Sequence, residues 1–230
     1  MTRLITLTLS LIVLSLTGCG EESPQSPEDG RDFPAQDYVE PGSYSGVVID
    51  GYLRDARVWL DLDGDWQYTP GPLTLTLPSG TEVTLAQGEP TTMSGAEGRF
   101  TLDTSELVLD PTVGPDLDPR DYPLIAVAVP GRTVDETYDG GTVIDKAFML
   151  TALPGTRTVT PLTTLLRYHG MIGASHSISE AAALEDLFRD INLRSDYVEG
   201  EDARAHAYAQ AFARYLAAHF PQDASDAIAA

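Results

Sequence analysis

GVVIDGYLRDARVWLDLDGD, residues 46–65, carries both the fold signal and the candidate chemistry of this chain. Val47 and Ile49, then Ala56, Val58, Leu60 and Leu62, recur at period two. Successive side chains of an extended strand point to opposite faces, so the pattern predicts two half-buried strands around a turn at Gly51–Asp55. Downstream, Leu73–Leu77 and Glu82–Leu85 alternate in the same way across Pro78-Ser79-Gly80, which predicts a hairpin. Gly98–Asp103 reads as another strand. Leu124–Val129 is an apolar run suited to a central strand, because the flanking Pro123 and Pro130 fit neither a helix nor a mid-sheet ladder. Lys146–Ala152 reads as the last strand. About seven short strands at turn-rich spacing predict an antiparallel β-sandwich over residues 46–155.

Beyond Pro154-Gly155 the period becomes helical. Thr160 and Pro161 form a helix start, and Leu162, Leu165, Leu166 and His169 share one face before Gly170. Ser177 and Glu180 fit a capping box ahead of Ala181, Leu184, Phe188 and Ile191. Asp202–Phe220 is the longest helical pattern, closed by Pro221. The predicted fold class is therefore α+β: a sandwich, a helical region packed on it over 156–221, and a flexible tail at 222–230. Leu162, Leu165, Phe188, Phe212 and Leu216 are expected to face inward.

Upstream, residues 19–45 hold Pro, Gly, Ser and acid with almost no apolar periodicity, the composition of a disordered tether. Residues 1–18 read as a secretory leader, with Arg3, then the apolar run Leu4–Leu16, then small residues. That run is short for a membrane span, which needs about 20 residues. Leu16-Thr17-Gly18-Cys19 resembles the lipobox of bacterial lipoproteins and ends on the chain's single cysteine. The resemblance implies cleavage before Cys19 and its acylation with palmitate-type chains. Gly20 stands where that family's inner-membrane retention signal would be Asp, which implies the outer membrane. An ordinary secretory leader with a chance cysteine is the alternative.

A formal charge of −21 opposes contact with nucleic acid or with anionic lipid, since both need Lys/Arg surfaces. It leaves two readings open, a soluble acidic surface or the binding of cations.

Asp61-Leu62-Asp63-Gly64-Asp65 is the candidate site. Carboxylates at i, i+2 and i+4 in a glycine-containing turn converge when the backbone curls, as a hard cation with about six to eight oxygen ligands requires. Calcium is the expected ion, with Gln67 giving a carbonyl and Glu89, returning after the hairpin, a further carboxylate. A solvated acidic turn is the alternative. The match to a full EF-hand loop is poor, because Trp66 stands at the sixth-position glycine, Pro72 stands at the bidentate Glu, and no helices flank the loop. Trp59 and Trp66 border the loop as packing aromatics or as a sugar platform. The histidines are scattered at 169, 176, 206 and 219 and read as structural. No G-x-S-x-G elbow marks a nucleophile, and glycine-rich phosphate loops are absent.

Residues 46–65, with Gly88-Glu89-Pro90 and Gly98–Leu102, resemble a module of large bacterial surface proteins and lipoproteins, similar to carboxypeptidase-regulatory-like and collagen-adhesin B-type sandwiches. Thr133-Val134-Asp135-Glu136 and Val159–Leu166 resemble further phrases of these lipoproteins. The insertion from about Pro70 to Gln87 departs from that module by separating the aspartates from Glu89. The resemblance implies an Ig-like or prealbumin-like sandwich and an envelope location, with no reaction attached. The expected protein is thus an outer-membrane-anchored, non-enzymatic lipoprotein acting as a calcium-stabilised binding or structural module. Its expected partners are the membrane through Cys19 and an envelope protein or glycan, without nucleic acid. The alternatives are a carbohydrate- or polymer-binding surface lipoprotein using the Trp59/Trp66 edge, and an accessory subunit of an envelope enzyme.

Overall fold

Alternation at the start of the folded region places Tyr44 and Val48 on one face of strand β1 (Ser43–Val48) and Val47 on the other. A computed structural model of the chain describes residues 42–173 and 188–221. The leader, the tether, the Ser177/Glu180 capping box and the 222–230 tail lie outside those residues.

After β1 come β2 (Leu53–Arg54) and β3 (Arg57–Leu60), the hairpin β4 (Leu73–Thr76) and β5 (Glu82–Leu85), then β6 (Thr91–Met93), β7 (Arg99–Asp103) and β8 (Leu124–Ala128). Next are β9 (Val134–Asp135), β10 (Thr142–Val143), β11 (Phe148–Ala152) and β12 (Thr158–Val159), followed by helices α1 (Pro161–Gly173) and α2 (Ala203–His219). One sheet runs β11-β8-β3-β6 and is antiparallel throughout, and a second runs β12-β1-β7. A small ribbon β10-β9-β2 and the β4-β5 hairpin complete the sheets of the described residues.

The inward faces of the two larger sheets share one core. Tyr44, Val48, Phe100 and Leu102 from one sheet meet Val58, Leu60, Leu124, Ala126 and Leu150 from the other, and the hairpin adds Leu73, Val83 and Leu85. This is a small α+β, sandwich-like fold. Gly98 is required where the chain enters β7: its φ is +65°, and a Cβ there would lie 2.2 Å from the Val48 carbonyl.

The opposite face of β1 carries Val47, and Ile49 beyond its end, against Leu162, Ile191, Tyr197, Ala205 and Ala209. The helical region therefore covers a buried face of the sandwich. Thr160 caps α1, its Oγ1 accepting the Thr163 N–H (2.9 Å) while its own N–H donates to Thr163 Oγ1 (2.8 Å). Asp202 caps α2, accepting from the N–H groups of Arg204 and Ala205.

Five expectations change. The fold starts at Ser43, ahead of residue 46, because Ser43–Ser45 already pair with Asp103–Thr101. It does not end its strands at 155, and it is not wholly antiparallel, because β12 pairs in parallel with β1. A two-residue strand between a turn and a helix cap carries too little alternation to be read. Helix α1 passes through Gly170 to Gly173, since a helical glycine costs only about 1 kcal/mol against alanine. Phe212 and Leu216 are half-buried, and Ala205, Ala209 and Ala213 hold the innermost positions of α2, where small side chains allow close approach. Leu162 is buried as expected; Leu165 and Phe188 are half-buried.

Candidate functional site

Strand β3 runs directly into the acidic loop. The ladder persists for one residue, with the Asp61 N–H donating to the Pro123 carbonyl (3.0 Å), and the backbone then curls. Gly64 and Trp66 take left-handed conformations, at φ 77° and 68°. Side chains close each turn: Asp63 Oδ1 accepts from Asp65 N–H (3.2 Å), and Asp65 Oδ1 accepts from Gln67 N–H (2.7 Å). Asp61 Oδ1 accepts from Trp66 N–H at 3.4 Å. Trp66 thus adopts the left-handed turn that glycine gives an EF-hand at its sixth position, despite its side chain.

One carboxylate oxygen from each of Asp61, Asp63 and Asp65 lies within 4.8 Å of the others. Asp63 and Asp65 are exposed, and Asp61 is 1% exposed. Glu89 is equally buried but does not join this group. Its Oε1 accepts from Leu62 N–H (2.7 Å) and its Oε2 from Thr69 N–H (2.9 Å), so it staples the two ends of the loop. The segment 70–87, which holds the β4-β5 hairpin, therefore returns Glu89 to the neck of the loop. Burial pushes its carboxyl up to about 7, opposed by those two N–H groups, with Asp63 and Asp61 adding to the rise. Gln67 is exposed at the loop's far side.

Arg167 on α1 is the site residue that sequence pattern does not single out. Its Nη2 lies 3.3 Å from Asp61 Oδ2, it is itself 8% exposed, and another of its nitrogens donates to Thr151 Oγ1. Its guanidinium lies 3.7 Å from the Trp66 ring centroid, and Trp66 in turn stacks on Tyr168 at 5.6 Å. Burial raises the Asp61 carboxyl, and the Arg167 hydrogen bond works against it. Burial likewise lowers Arg167, with Asp61 opposing. The sequence offers only their helical spacing, on which Thr160, Thr163, Thr164 and Arg167 share a face that the structure buries. The threonines serve β11, an edge strand: Thr151 N–H donates to Thr164 Oγ1, and Thr163 Oγ1 donates to the Thr151 carbonyl, both at 2.8 Å.

Trp59 is 1% exposed within a cluster with Ile125 and Val127, so it presents no face to a glycan. Trp66 is half-buried between Arg167 and Tyr168. His206 stacks on Tyr197 at 5.5 Å, and His219 packs on Tyr215 at 4.2 Å, both in structural contacts.

The donor set suits a hard cation. Three carboxylates offer oxygen only, one guanidinium offsets part of their charge, and water can complete the six to eight ligands that calcium takes, as a rule about 2.3–2.6 Å away. Asp61 Oδ2 is engaged by Arg167. Among the described residues no helix is long and apolar enough to cross a membrane. Comparison with protein-family models, with curated proteins and with solved structures finds no match.

Proposed function

We propose that this chain is a non-enzymatic lipoprotein of the bacterial cell envelope, anchored through acylated Cys19 in the outer membrane. Its Ig-like or prealbumin-like sandwich is a binding or structural module stabilised by calcium in the 61–67 loop. The observation that carries this reading is the convergence of Asp61, Asp63 and Asp65 within 4.8 Å, in a loop stapled by Glu89. Asp61, Asp63 and Asp65 hold the ion, Gln67 adds its carbonyl, and the bound charge relieves repulsion among the aspartates. The ion performs no chemistry beyond this. Arg167 and Trp66 connect the loop to α1, so calcium also steadies the join between sandwich and helices.

Melting with millimolar calcium against chelator tests the reading in wild type and in Asp63→Ala. Binding to the native state alone adds about 2.7 kcal/mol at a hundredfold excess over Kd, which raises the melting temperature by several degrees. A wild type without a shift, or a mutant that shifts equally, reduces the loop to a solvated acidic turn.

A further inference from the structure

Away from the acidic loop, a cavity of about 340 Å³ opens between the ribbon, the start of β11 and α2. Three carboxylates line it, from Asp50, Asp135 and Asp145, together with Lys146 and Arg214. Phe148 and Ala213 supply apolar wall. Asp50 is 8% exposed, and its Oδ1 has no hydrogen-bond partner. The nearby Tyr197 hydroxyl does not serve it, since it donates to the Ile49 carbonyl at 3.0 Å. Asp135 is held in place, its Oδ1 accepting from Thr137 N–H (2.8 Å) and the Thr137 hydroxyl. Gly51 allows this arrangement, because a Cβ there would sit 2.1 Å from that oxygen.

A buried carboxylate oxygen without a donor costs free energy unless something supplies the missing proton or charge. Burial and Asp135 together push the Asp50 carboxyl up to about 7, with Arg214 opposing. Neither Lys146 nor Arg214 forms an ion pair among the described residues. Both signs of charge therefore line one cavity with an apolar wall without a salt bridge between them. Among the described residues these carboxylates do not converge as those of the 61–65 loop do, which argues against a metal ion. The volume lies at the lower end of small-molecule sites, which run from about 300 Å³.

We propose that this cavity binds a small zwitterion of the α-amino-acid type. Its ammonium donates to Asp50 Oδ1 with Asp135 nearby, its carboxylate meets Arg214 and Lys146, and its aliphatic side chain lies against Phe148 and Ala213. A ligand with only one charge leaves the opposite set without a partner.

Calorimetric titration of the full chain with norvaline, n-butylammonium and pentanoate tests this, because each of the latter two lacks one charged group of the first. Norvaline binds, pentanoate does not, and n-butylammonium binds about a hundredfold more weakly, the worth of two charge-assisted contacts. Asp50→Asn, which keeps the shape of the side chain, abolishes norvaline binding. Arg214→Ala, at an exposed position, weakens norvaline about tenfold, leaving Lys146 for its carboxylate, and changes n-butylammonium much less. Absence of norvaline binding, equal binding of norvaline and n-butylammonium by wild type, or unchanged norvaline binding in either variant overturns the proposal.

Discussion

Asp61 and Asp50 are both buried acids, but Asp61 has a cationic partner in contact while Asp50 Oδ1 has no hydrogen bond. Removing one member of a buried ion pair strands the other, at a cost of about 3–5 kcal/mol. Arg167→Met should therefore lower stability by about that range in urea titrations with chelator present, and adding Asp61→Asn should restore most of it. Asp50, with no such partner, links stability to pH. Its native carboxyl sits near 7 against 3.8 for the free group. Between those values the native state keeps a proton that the unfolded chain has lost, so stability is greatest below pH 4 from this group and falls as pH rises toward 7. Asp145, Lys146 and Arg214 share that cavity, so the dependence belongs to the set. Asp50→Asn should flatten the decline, at about 1.4 kcal/mol per pH unit removed, measured by denaturant titration at pH 5 and pH 7. The aspartate loop was legible because all its signal lies within five residues. Arg167 was not, since it reaches Asp61 across 106 positions of chain. Asp50 was hidden for a similar reason, as its exposure depends on α2.

Among the elements, the hairpin, β3, β7, β8 and α2 follow from local period and turn chemistry. What escaped was pairing between distant pieces. β12 is two residues long and acquires meaning only beside β1. Thr160 reads as a cap, but Thr163 and Thr164, which close the edge of β11, carry no such local signal. The alanines of α2 behave as contact residues, with Ala209 packed in the cluster around Val47 and Ile49. Ala209→Leu should cost about 1–3 kcal/mol through overpacking. Ala211→Leu, on the exposed side of the same helix, should change stability by less than about 0.5 kcal/mol. Equal effects at the two positions would contradict this packing.

At the scale of the described residues, sandwich and helices form one unit, because Val47 and Ile49 are covered by Leu162 of α1, Ala205 and Ala209 of α2, and Ile191 and Tyr197. A fragment ending at residue 155 should consequently lack a cooperative melt, whereas residues 42–221 should show one by circular dichroism. On the proposed lipid anchor, Cys19→Ala should release the protein from the membrane fraction and leave the melt unchanged, because acylation at that one position would carry the membrane affinity. The position of β1 has a consequence for the order of assembly. It lies between β7 and β12, so the first strand of the described residues cannot acquire its second neighbour until residues 158–159 have been made. Contacts of such sequence separation slow the search for the native state, often to milliseconds or longer. Until residues 158–159 are in place, β1 is paired on one edge only, by β7.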